Sequence, residues 1–138
     1  MTAGYSKRPL VQKLGIKSGS KIIILNAPPD YDQTLGPLPD GVTLAKTLDD
    51  PLDFIHFFTK SNIELESRFN DLKQALAYDG MLWISWPKKA SKVETDLDEN
   101  IIRDTGLAKG LVDVKVAAVD AVWSGLKFVY RLEDRPKK

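Results

Sequence analysis

One histidine, a run of lysines and three tryptophans are the residues from which this chain could build chemistry. His56 is the only imidazole in 138 residues, so any Ser-His-Asp arrangement has to use it. It stands in the apolar run Leu52-Asp53-Phe54-Ile55-His56-Phe57-Phe58-Thr59. A buried histidine with a local hydrogen-bond partner is the simpler reading there, and a general base near a crevice is the functional one. Lys88, Lys89 and Lys92 follow Trp86-Pro87. With Lys60 they could form a local positive patch for a phosphate or another small anion, or a solvated loop. One histidine, no cysteine and scattered carboxylates give no metal-ligand spacing, so no metal site is expected. No Walker-type glycine-rich loop is present, which removes the usual nucleoside triphosphate site. Asp113 and Asp120 flank a predicted strand, and Asp96, Asp98 and Glu99 open a predicted helix. Turn and cap roles account for these carboxylates without catalysis.

Such residues need a scaffold, and the pattern predicts one. Residues 6–14 read as a short helix capped by Ser6 and stopped by Gly15. Residues 21–27 hold Ile22-Ile23-Ile24-Leu25, a continuous apolar run that predicts a strand buried on both faces. Pro28-Pro29 ends it. Residues 30–41 read as loop with one helical turn at 30–35, followed by a short edge strand at 42–44. Residues 52–59 form the second buried strand. Ser61 and Glu64 have capping-box spacing, and Leu65, Phe69, Leu72 and Leu76 recur at helical intervals, so a helix runs over 62–77. Tyr78-Asp79-Gly80 then feeds the apolar run Met81-Leu82-Trp83-Ile84-Ser85-Trp86. In that strand Trp83 faces the core, and Trp86 points to the other face, where it either plugs the strand end ahead of Pro87 or lines the crevice. Residues 95–98 start a last helix that Gly106 stops. Residues 112–119 and 122–132 form an antiparallel hairpin, with Trp123 as packing. Strands alternating with helices give an α/β fold: a reduced Rossmann-like three-layer sandwich, mostly parallel, with a C-terminal antiparallel hairpin.

Composition bounds the rest. The length suits a single domain over 1–138, with residues 1–5 and 134–138 frayed. Lys+Arg is 20 against Asp+Glu 19, so bulk charge gives no drive toward nucleic acid or anionic membrane. No apolar run approaches the length of a membrane span, and the absence of cysteine fits a cytoplasmic protein.

Two resemblances follow from these residues. The strand after Gly15-Ile16-Lys17-Ser18-Gly19-Ser20-Lys21, the Phe54–Phe58 strand, the capped helix, Leu76-Ala77-Tyr78-Asp79-Gly80-Met81-Leu82-Trp83-Ile84 and the hairpin resemble a shortened class I methyltransferase. Gly4-Tyr5-Ser6, Lys13-Leu14-Gly15-Ile16-Lys17, Asn26-Ala27-Pro28, Trp86-Pro87-Lys88-Lys89, Asp96-Leu97 and Val119-Asp120-Ala121-Val122-Trp123-Ser124-Gly125-Leu126 resemble a family of short bacterial proteins known as a domain of unknown function. That second resemblance implies no activity. The first implies a glycine-rich turn after the opening strand and an acidic residue for a ribose. Here the turn is Asn26-Ala27-Pro28-Pro29-Asp30-Tyr31, without glycine, and only Asp49 and Asp50 suit the acid by position.

The expectation is therefore a non-enzymatic or degenerate methyltransferase-like domain that binds a partner or small anionic ligand. No cofactor is expected, S-adenosylmethionine included. The alternatives are a methyltransferase-like enzyme with an altered cofactor site and a structural subunit of a homodimer. The crevice candidates are Asn26, Pro28, Asp30, Tyr31, His56, Thr59, Lys60, Trp86, Lys88 and Lys89, all expected beyond the carboxyl ends of the parallel strands.

Overall fold

The structure, a computed structural model, describes residues 9–49 and 51–136. The Ser6 cap, residues 1–5, Asp50 and residues 137–138 lie outside the described residues. The elements in order are α1 (Leu10–Leu14), β1 (Lys21–Leu25), α2 (Tyr31–Leu35), β2 (Thr43–Leu44), β3 (Leu52–Phe58), α3 (Asn62–Ala75), β4 (Leu76–Pro87), α4 (Glu99–Ala108), β5 (Leu111–Ala118) and β6 (Trp123–Tyr130).

The strands form one six-stranded sheet in the order β2-β1-β3-β4-β6-β5. β2, β1, β3 and β4 run parallel, and β6 and β5 close the sheet antiparallel. Continuous apolarity in β1 and β3 has the expected cause: both faces are covered. On one face Ile23, Ile55, Phe57, Leu82, Ile84 and Trp86 meet Leu65, Phe69 and Leu72 of α3 and Ile102 of α4. On the other, Ile22, Phe54, Phe58 and Trp83 meet α1 and α2. The two layers are unequal. α3 and α4 have 14 and 10 residues, whereas α1 and α2 have 5 each. The thin layer needs ties, and Trp83 supplies one by donating its indole N–H to the Leu14 carbonyl at 2.9 Å.

Several boundaries differ from expectation: β1 ends at Leu25 where Asn26 turns left-handed, β6 ends at Tyr130, and α1 starts at Leu10 with Pro9 as its N-cap. β4 begins at Leu76, so Tyr78-Asp79-Gly80 lies inside a strand whose pairing with β3 slips between Leu52 and Phe54. α4 starts one residue after Asp98, whose carboxylate accepts the Ile101 N–H at 2.8 Å. Gly106 does not stop α4. A Cβ there would lie 2.0 Å from the Phe128 ring, so glycine is what lets the helix press onto β6.

From β1 the chain crosses to β2 on one side and then returns past β1 to β3 on the other. The strand order therefore reverses between β1 and β3. In open α/β sheets ligands bind beyond the carboxyl ends at such a point.

Candidate functional site

A crevice of about 660 Å³ opens at this reversal, lined by Asn26, Pro28, Phe58, Thr59, Glu64 and Trp123 among others. Its floor is built from the ends of β1 and β3. β1 stops at Leu25, and Asn26 takes a left-handed conformation at φ 60, followed by Asp30 at φ 63. Asparagine and aspartate enter that region more readily than other non-glycine residues, because their short polar side chains bond locally. The Asn26 amide donates to the Phe58 carbonyl at 3.1 Å and reaches Glu64 Oε2 at 3.5 Å.

β3 delivers Thr59, which is buried and donates its hydroxyl to Glu64 Oε1 at 2.5 Å. Ser61 caps α3 by accepting the Glu64 N–H at 3.2 Å. The Ser61 N–H goes to Thr59 Oγ1 at 3.2 Å, and the Glu64 carboxylate turns into the crevice to hold Thr59 and Asn26. Phe58 and Trp123 pack edge to face at 5.1 Å and form an apolar wall. Lys60 is exposed at the rim.

Below this floor lies a buried polar line. The Tyr31 hydroxyl is 2.6 Å from His56 Nδ1, and His56 Nε2 is 2.7 Å from Ser85 Oγ. His56 and Ser85 have no exposed surface, and Tyr31 has 4%. Burial pushes the His56 pKa down to about 3, so the ring is neutral. Burial first, and the charge of Asp120 second, push the Tyr31 phenol up. The imidazole has no path to a ligand. It fastens α2, and with it the Asn26–Tyr31 turn, to β3 and β4.

The expected site residues thus separate. Asn26, Pro28, Thr59 and Lys60 line the crevice together. His56 and Tyr31 do not, because the sheet and α2 seal them. Asp30 is exposed, and its carbonyl accepts the amides of Gln33 and Thr34 at the start of α2. Trp86, Lys88 and Lys89 line a neighbouring groove of about 630 Å³ instead. Lys88 is fastened to the β5–β6 turn, its ammonium donating to the Asp120 carbonyl at 2.8 Å. Asp49 accepts the Thr47 hydroxyl and does not line the crevice. Sequence reasoning missed Glu64, Ser61, Phe58, Val93, Val122 and Trp123 as crevice residues. One signal for Glu64 was present: the first turn of a helix that follows a parallel strand lies at the carboxyl edge of the sheet. Among the described residues no cluster of three or more metal-ligating side chains occurs.

No family model matches the chain, and no curated protein matches it, so the resemblance to the bacterial family of unknown function is not confirmed. Solved structures do match. A TehB-like SAM-dependent methyltransferase from Corynebacterium glutamicum superposes with a TM-score of 0.56 at 13% identity, covering 94% of this chain and 91% of that one. The DhpI–SAH complex gives 0.62 at 12% identity, covering 94% and 84%. Magnesium protoporphyrin IX methyltransferase from Synechocystis with bound SAM gives 0.56 at 12%, covering 88% and 74%. At these identities the likeness establishes the fold, which is that of SAM-dependent methyltransferases.

It also corrects the expectation that no cofactor, S-adenosylmethionine included, belongs with this chain, because neighbours of this fold carry SAM or SAH. The missing glycine misled for a physical reason. Asn26 takes the left-handed turn itself, so the backbone reverses there without one.

Proposed function

We propose that this chain is an S-adenosylmethionine-dependent, methyltransferase-like enzyme with an altered cofactor site. The observation that carries the reading is the Glu64 carboxylate at the crevice floor. Each of its oxygens accepts one protein hydrogen bond, from Thr59 or Asn26, and an ionised carboxylate has about four acceptor positions. Glu64 therefore keeps lone pairs for a ribose diol, a role that Asp49, bonded to Thr47 away from the crevice, does not fill. The volume falls in the usual range for small-molecule sites. The Phe58–Trp123 wall offers an apolar surface to a base, and Lys60 at the rim offers a cation to a carboxylate. When bound, S-adenosylmethionine supplies an electrophilic methyl group on a sulfonium. The chain's own part is to hold, orient and desolvate: Thr59 and Asn26 fix Glu64, and Val93, Val122 and Trp123 narrow the mouth.

The sealed His56 favours a second reading, in which the crevice binds its ligand without transfer. The crevice then acts as a sensor or docking module. A thermal-shift series with S-adenosylmethionine, S-adenosylhomocysteine, adenosine and sugar phosphates, followed by a labelled methyl-transfer assay, separates the two. Stabilisation by the first two with label transfer supports the enzyme. Stabilisation without transfer to any acceptor supports the second reading, and no stabilisation by either overturns both.

A further inference from the structure

The groove beside the crevice carries two lysines that have no partner among the described residues. Lys89–Ser91 is a single 3₁₀ turn, and Lys92 closes it at φ 62, an uncommon conformation for a residue without a short polar side chain. The turn is held from within. Ser91 Oγ donates to the Lys88 carbonyl at 2.6 Å, the Val93 N–H donates to Ser91 Oγ at 3.2 Å, and the Lys92 N–H donates to the Lys89 carbonyl at 3.2 Å. It is also held from outside, because the Lys88 N–H donates to the Val122 carbonyl at 2.7 Å. Lys89 opens the turn and Lys92 follows it, and both line the groove. Among the described residues neither ammonium has a hydrogen-bond or ion-pair partner, whereas Arg103 and Lys109 are paired with carboxylates. Three of the four carboxylates on the groove are engaged: Asp98 caps α4, Asp96 accepts the Asn62 N–H, and Glu99 pairs with Arg103, while the fourth, Glu94, is exposed to solvent two residues beyond Lys92. A loop braced by these bonds thus places two like charges in the groove that Trp86, Pro87 and Val93 also line, and Val93 lines the crevice as well.

We propose that Lys89 and Lys92 form an anion subsite that holds the carboxylate or phosphate of a small, partly apolar methyl acceptor, with the acceptor's body lying over Val93 toward the crevice. The acceptor role rests on the function proposed above; the subsite itself does not.

Two-dimensional amide NMR of the whole chain tests it, with inorganic phosphate and benzoate titrated at constant ionic strength against chloride. Saturating shifts at the Lys89, Lys92 and Val93 amides and the Trp86 indole are expected with at least one of the two anions, which identifies the preferred group. In the exposed double variant Lys89→Gln/Lys92→Gln these shifts weaken by about tenfold or vanish, while the rest of the spectrum stays unchanged. Absence of saturating shifts with both anions, equal shifts with chloride, or an unchanged response in the double variant overturns the subsite. S-adenosylhomocysteine added to the same samples reads the crevice through the Asn26 and Thr59 amides. Silence there with a response at Lys89 and Lys92 overturns the acceptor role and the proposed function, and leaves the anion subsite standing.

Discussion

The hydroxyl of Tyr31 lies 2.6 Å from Nδ1 of His56, and this contact joins the segment after β1 to the centre of the sheet. It explains how a layer of two five-residue helices holds its place over β3. Removing the hydroxyl leaves a buried imidazole nitrogen without its partner. Tyr31→Phe should therefore cost about 1–3 kcal/mol in urea unfolding, more than the net worth of one hydrogen bond. A loss below the error of the measurement would show that water or a rearranged ring replaces the contact.

The same ring makes stability depend on pH. An unfolded histidine titrates near 6.5, whereas burial holds His56 down at about 3. Between these values the unfolded chain binds one more proton than the native one, so stability rises with pH. The contribution is complete above about pH 6.5 and is lost progressively toward pH 3, with a slope of about 1.4 kcal/mol per pH unit from this group. Urea midpoints measured from pH 7 to 5 should fall accordingly, and His56→Asn should flatten that slope even if it lowers stability throughout. An equal slope in the variant would assign the effect to carboxylates.

Gly106 offers a test of the thick layer. A methyl group there meets the Phe128 ring at 2.0 Å, too close for the ring to accommodate in place. Gly106→Ala improves helix propensity by about 1 kcal/mol, yet overpacking of this kind costs about 1–3 kcal/mol. Net destabilisation is expected in thermal unfolding. A gain in stability would mean that α4 shifts freely on β6.

At the crevice, Thr59→Val keeps the shape of a buried side chain and removes the hydroxyl that holds Glu64. It should weaken S-adenosylhomocysteine binding by roughly tenfold, the scale of a charge-assisted hydrogen bond. The unfolding free energy measured in urea should fall by only about 1 kcal/mol. Unchanged affinity would separate Thr59 from the site.

Much of the fold was legible because it depends on periodicity. The apolar runs of β1, β3 and β4, the Leu65–Phe69–Leu72 stripe of α3 and the short link before β6 all report burial, and burial follows from local pattern. Tyr78-Asp79-Gly80 misled because turn-forming residues also suit a strand bulge, which only the β3 register reveals. The site was less legible. Glu64 had a sufficient local role as a cap partner, and nothing in the sequence shows that Thr59 and Asn26 draw its carboxylate elsewhere. The simpler reading of His56, a buried histidine with a local hydrogen-bond partner, is what the structure shows; its place among the crevice candidates fails because sequence position shows the strand but not the helix that seals it. Asn26 hid the turn, since a left-handed asparagine carries no mark in the sequence that glycine would.

Calorimetric titration of S-adenosylhomocysteine into the wild-type chain and into Glu64→Gln tests the central claim most directly. The account predicts saturable one-to-one binding to the wild type and an affinity about tenfold lower in the variant, as the carboxylate's bonds to a diol are charge-assisted. No binding to the wild type, or equal affinity in both proteins, would contradict it.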